Sequence, residues 1–212
     1  TDSFIENQTG ILKIQSSVVD GDISFLADNG SGTATEYFRL DGSDVEIRFS
    51  QKVQIEDNVN LCVGTGEDLR LSHSGTNSQI FNTNGDFTIK NESNDKDLIF
   101  QCDDGSGGNA TYFFLDGSRA DGTYLYTEFP DNSVIGLGND TDLQIYHSGT
   151  NSLIDNFVGD LIIQQKADDK DIIFKSDDGS GGTTEYFRVD GGEGHTVVTK
   201  EINFLDNTRA TF

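Results

Sequence analysis

Asp177-Asp178-Gly179-Ser180-Gly181-Gly182, followed by Glu185-Tyr186-Phe187-Arg188-Val189-Asp190-Gly191, decides the fold, because most of it occurs twice more. Asp103-Asp104-Gly105-Ser106-Gly107-Gly108 lies 74 residues upstream (177 − 103). The same register pairs Tyr37-Phe38 with Tyr112-Phe113 and Tyr186-Phe187, and Asp41-Gly42 with Asp116-Gly117 and Asp190-Gly191. It also sets Ser72-His73-Ser74-Gly75 against Tyr146-His147-Ser148-Gly149. Between 76–118 and 150–192, 23 of 43 positions are identical, which makes this a repeat protein. Ser3-Phe4-Ile5 falls on Ser78-Gln79-Ile80 and Ser152-Leu153-Ile154, so three units are expected: 1–75, 76–149 and a truncated 150–212. Phe212 is the counterpart of Leu137 and Val63, and the chain reads as a window on a longer array of one continuous region.

The composition bounds what such an array can be. Only 33% of residues are apolar, with 24 Gly, one Pro and no Trp, too little for one thick core. Fifteen Phe and six Tyr at regular positions argue equally against disorder. A thin, extensively wetted β structure satisfies both. The net charge of −23 repels nucleic acid and anionic membranes, and no apolar run is long enough to span a bilayer. Such a surface would hold divalent cations loosely and would repel itself less in saline water. Cys62 stands where unit 2 has Gly136, and Cys102 where the other units have Ala27 and Ser176, so both read as small packing residues outside the repeated framework.

Apolar residues alternate at period two in Leu12/Ile14, Ile23/Phe25, Phe38/Leu40, Val45/Ile47/Phe49, Val59/Leu61/Val63 and Leu69/Leu71, the pattern of short half-buried strands. Asp20-Gly21, Asn29-Gly30, Asn84-Gly85, Asp121-Gly122 and Gly191-Gly192 supply turns between them. No stretch carries the 3.6-residue stripe of an amphipathic helix, so the expected class is all-β with almost no helix. The unit junctions Val63 to Leu69 and Leu137 to Leu143 pass from strand to strand through a turn alone, unlike the linkers of separate sandwich domains.

One apolar face with no helix to cover it must close on its own chain or on other copies. A monomeric solenoid would show a shorter coil period inside the 74-residue unit, and none is evident. Neighbouring copies can supply the missing faces and cover the edges. The expected architecture is therefore an elongated, intertwined homotrimeric fibre, a β-helix or β-prism, with the monomeric solenoid as the alternative. Ile99, Phe113, Leu115, Ile173, Phe187 and Val189 are the expected axial or inter-chain core.

The runs Asp142-Leu143-Gln144-Ile145-Tyr146-His147-Ser148-Gly149-Thr150-Asn151-Ser152 and Asp177 to Gly182, with Glu185 to Gly191, resemble the repeats of tail-fibre proteins from marine bacteriophages, especially those of cyanobacterial hosts. The resemblance covers all three units. It implies a trimeric shaft on the virion tail, extracellular, joined to other tail proteins and holding a host-recognition tip at a distance. A carbohydrate-binding adhesin repeat and a bacterial extracellular filament are the alternatives.

Candidate sites follow from the repeated residues. His73 and His147 share strand parity with Leu69/Leu71 and Leu143/Ile145, so three copies would meet near a trimer axis, where imidazoles can hold a metal or an anion. Fibres of the resembled kind use His-x-His for metal, whereas each unit here has one such His. The plainer reading is a strand-end histidine bonded to a nearby serine. Asp103, Asp104, Asp177 and Asp178 offer carboxylates in flexible turns, either for a cation or simply to form the turn. Tyr112 and Tyr186 would face solvent while Phe113 and Phe187 point inward, leaving a shelf for a host surface glycan. Nucleophile elbows, phosphate-binding glycine loops and zinc-spaced Cys or His are absent, so neither an enzyme nor a bound cofactor is expected.

Overall fold

The computed structural model describes residues 5–203; Ser3, Phe4 and Phe212, used above to set the register, lie outside them. Among the described residues every regular element is a strand, and the fifteen strands form five three-stranded antiparallel meanders. Two units divide the chain, Thr1–Ile89 and Lys90–Phe212. The first carries β1 (Ile23–Asp28), β2 (Ala34–Asp41) and β3 (Glu46–Phe49) in one sheet, and β4 (Leu61–Val63), β5 (Leu69–His73) and β6 (Ser78–Asn82) in another. The second carries β7 (Leu98–Asp103), β8 (Asn109–Asp116) and β9 (Tyr126–Glu128), then β10 (Ile135–Leu137), β11 (Leu143–His147) and β12 (Ser152–Asn156), and finally β13 (Ile172–Asp177), β14 (Thr183–Asp190) and β15 (His195–Val198).

One 74-residue period thus holds two different meanders. The sheets β1–β3, β7–β9 and β13–β15 are built round a phenylalanine ladder, and β4–β6 and β10–β12 each end a central strand on histidine. The sequence boundaries 75/76 and 149/150 fall in the β5–β6 and β11–β12 hairpin turns.

The ladder explains the repeated Tyr-Phe. Phe25 pairs with Phe38, Phe100 with Phe113 and Phe174 with Phe187 across the strands. Their rings stack at 4.4, 4.5 and 4.3 Å between centroids; Phe129 extends the second stack, and Phe49 packs tilted against Phe38 at 6.0 Å. The register slips immediately after Phe25, Phe100 and Phe174, so Tyr37, Tyr112 and Tyr186 are the extra residues of three equivalent β-bulges. Each phenol reaches back over the turn to a main-chain oxygen: Tyr37 to Asp28 at 3.3 Å, Tyr112 to Asp103 and Tyr186 to Asp177 at 3.0 Å.

The pairing register divides the expected core residues between the two faces of each sheet. Phe113, Leu115, Phe187 and Val189 lie on the ladder face, but Ile99 pairs with Phe114 and Ile173 with Arg188, which places both on the opposite face. Strand alternation puts neighbours on opposite sides, and the six residues mix both parities. Within each unit the strands in contact are those sharing a sheet. No hydrophobic residue among those described is buried; Asp41, at 5% exposed, is the buried one.

Among the described residues, three alternating apolar segments join no sheet. Leu12/Ile14, Phe87/Ile89 and Leu161/Ile163 recur in register, each two residues after a glycine (Gly10, Gly85, Gly159), and each is about half exposed. Leu12/Ile14 was read as a strand from its periodicity; it lacks a hydrogen-bonding partner strand within the described chain. Val45 and Val59 likewise precede β3 and β4 rather than belonging to them.

Glycine is dictated at one repeated step by crowding. Gly117 abuts a main-chain carbonyl so closely that a Cβ there would sit 2.5 Å from the oxygen of Lys96, and Gly42 faces Gly21 in the same way at 2.7 Å. That is why glycine follows the Asp that ends β2, β8 and β14 alike.

Candidate functional site

The acidic turns are built by their own carboxylates. Asp104 Oδ1 accepts from the Ser106 amide (2.7 Å), the Ser106 hydroxyl (2.7 Å) and the Gly108 amide (3.0 Å). Asp178 Oδ1 accepts from Ser180 and Gly182 in the same pattern at 2.7–3.1 Å. These bonds, the serine hydroxyl first, hold both carboxyls below the usual range. Asp103 and Asp177 accept the Gly105 and Gly179 amides through Oδ2. Three donors on one oxygen make the carboxylate the organiser of the turn.

The histidines end β5 and β11. His73 shares a face with Leu71, Leu61 and Ile80 and meets Ser78 Oγ through Nδ1 at 3.0 Å. It borders an apolar cleft of about 540 Å³ lined also by Ile55 and Val59. His147 instead meets Asp131 Oδ1 through Nδ1 at 2.7 Å, with the Gly149 amide 3.2 Å from the same nitrogen. Asn58 and Asn132, both at positive φ, cap these strands by donating to the His73 and His147 carbonyls at 2.8 Å. Each sheet presents a single imidazole whose Nδ1 is already engaged.

Tyr112 is 49% exposed and Tyr186 40%. Tyr112 borders a cleft of about 460 Å³ with Asp104, Thr111, Asp131, Asn132 and Ser133. Cys62 and Cys102 are exposed free thiols.

Sequence reasoning missed an arginine-centred network opposite the ladder. Arg39 binds Asp41 Oδ2 (3.0 Å), Glu36 (3.1 Å) and Asp22 Oδ2 (3.3 Å). Arg188 binds Glu185 (2.8 Å), Asp190 Oδ2 (3.0 Å) and Asp171 Oδ2 (3.2 Å). Ser43, the Asp44 amide and Arg39 together hold the Asp41 carboxyl well below the usual range. Carboxylate oxygens of Asp41, Asp44 and Glu46 approach within 4.8 Å of one another, but Arg39 and Arg48 already neutralise Asp41. The available signal was Glu-x-x-Arg-x-Asp at Glu36–Asp41 and Glu185–Asp190, with a second Asp 19 residues before the final one (41 − 22; 190 − 171).

The geometry offers turns, packing faces and ion pairs, with an aromatic cleft beside Tyr112. No family model, curated protein or solved structure matches the chain.

Proposed function

We propose that this chain is a segment of a structural shaft, a homotrimer whose copies cover one another's apolar faces and whose repeats set length and stiffness. The uncovered ladder carries this reading. Phe25 and Phe49 on one sheet, Phe100 and Phe129 on the second, and Phe174 and Phe187 on the third remain 37–60% exposed in the single chain. Covering a half-exposed side chain of this size is worth on the order of 1 kcal/mol, and three-stranded sheets need a packed face to persist.

Another copy suits these faces better than an unrelated partner because the faces recur with the period of the chain. The unpaired segments at Leu12, Phe87 and Leu161 support the same reading: strand-forming sequence without a partner strand is completed by a strand from a neighbour. The resemblance to tail-fibre repeats of marine bacteriophages supports reading it as a shaft on a virion tail, outside the cell, that positions a host-recognition tip. Phe187→Asp tests this, since a charge on the ladder face should prevent assembly while Phe187→Leu preserves it. Trimers of normal mass from Phe187→Asp would refute the ladder as the interface.

A carbohydrate-binding repeat is the second reading, favoured by the cleft beside Tyr112. Glycan binding by the assembled fragment that disappears with Tyr112→Ala would promote it over a passive shaft.

A further inference from the structure

The middle phenylalanine sheet departs from its two sisters at one spot. Arg39 and Arg188 stand on the central strand opposite the ladder, each held by the Asp that ends that strand, an Asp from just before the first strand, and a Glu three residues back. In β8 the equivalent of the arginine is Phe114 and that of the glutamate is Thr111. Cation and Glu are both gone, yet both aspartates remain, as Asp97 and Asp116.

The two aspartates keep the posture that binds arginine elsewhere. Asp97 Oδ1 accepts the Gly117 amide at 3.0 Å, as Asp22 Oδ1 accepts Gly42 and Asp171 Oδ1 accepts Gly191. Asp116 Oδ1 accepts the Ser118 amide, the Ser118 hydroxyl and the Arg119 amide at 2.7–3.0 Å, as Asp41 Oδ1 accepts Ser43 and Asp44. The Oδ2 atoms correspond to those that grip the guanidinium in the sister sheets. Among the described residues neither makes an ion pair here; Arg119 pairs with Glu128 and lies over Tyr126 at 4.7 Å. Beside them Phe114 and the 53%-exposed Ile99 form an apolar patch where the sisters carry charge.

The geometry points to a docking site on the β7–β9 sheet for an arginine side chain from a partner protein, with Asp97 and Asp116 taking the guanidinium and Phe114 and Ile99 taking its stem. The sister sheets show the occupant, since the same two carboxylates hold an arginine in each. An aromatic face beside paired carboxylates suits a planar, weakly hydrated guanidinium better than an ammonium or a metal ion. A different protein is the partner proposed: among the described residues, four arginines of this chain are held in ion pairs and Arg70 lies over Phe81. This site stands independently of self-association.

NMR of the full chain in its native assembly, titrated with a blocked Gly-Arg-Gly tripeptide, its Lys analogue and calcium chloride, tests it. Expected are shifts confined to Ile99, Phe114, Gly117 and Ser118, stronger for the Arg peptide than for Lys. Closing the site as in the sister sheets, with Thr111→Glu and Phe114→Arg together, should weaken the response by roughly tenfold. Asp97→Asn, which keeps an acceptor for Gly117 and so preserves the turn, should weaken it similarly. Diffuse shifts over the acidic surface, an equal response to Lys or calcium, or an unchanged response in Asp97→Asn would overturn the proposal.

Discussion

Asp116-Gly117 shows how a single dipeptide carries several constraints. Asp116 caps the turn, Gly117 donates to Asp97, and the Lys96 carbonyl leaves no room for a side chain. Gly117→Ala should destabilise the chain by about 1–3 kcal/mol, the cost of overpacking a site that can yield only by moving backbone; denaturant unfolding reads this directly. The turn carboxylates make a pH prediction at the same scale. Asp41, Asp104, Asp116, Asp178 and Asp190 all have lowered pKa values in the folded chain, chiefly from hydroxyl and amide donors. Their contribution is complete above the unfolded Asp value of about 3.9 and is lost as pH falls through the lowered folded values. Stability should therefore be flat in these groups above about pH 5 and decline below about pH 4, as followed by circular dichroism melts. Melting that is unchanged between pH 6 and pH 3 would contradict this.

At the scale of elements, strand existence was legible because period-two alternation and Asp-Gly punctuation agree, as in Phe38/Leu40 between Gly32 and Gly42. Placement on a face was not. The Phe-Tyr alternation at 112–113 and 186–187 reads as one ring in and one ring out, yet a bulge sits at the tyrosine and a phenol bond to the turn fixes it. Ile99 and Ile173, expected in the same core as Phe113 and Phe187, stand on the other face of their sheets, which only the strand register reveals. The arginine network was visible only as a spacing, since its two aspartates come together through the sheet. His73 could be read as a strand-end residue from Leu69/Leu71, but its serine partner, Ser78, comes from the opposite strand of the hairpin. The unpaired segments yield a test of their own: Thr88→Pro with Ile162→Pro removes two amide donors outside every strand of the single chain. If neighbouring copies complete these strands, assembly should fail while each sheet's far-ultraviolet signature survives. Normal assembly of that variant would make the segments simple connections.

At the scale of the molecule, two opposing terms decide the state of the chain. Exposed apolar faces favour association of copies, and a net charge of −23 per chain opposes it. Screening weakens the opposition, so association should strengthen from low salt to about 0.5 M as the Debye length shrinks, measured by sedimentation at a fixed protein concentration. Association that weakens with salt would mean that ion pairs, rather than the phenylalanine faces, join the copies. The most direct measurement is the mass of the purified chain in solution by light scattering coupled to size exclusion. The account predicts about three times the 23.1 kDa chain mass; a single species at 23.1 kDa that stays soluble and folded would contradict it.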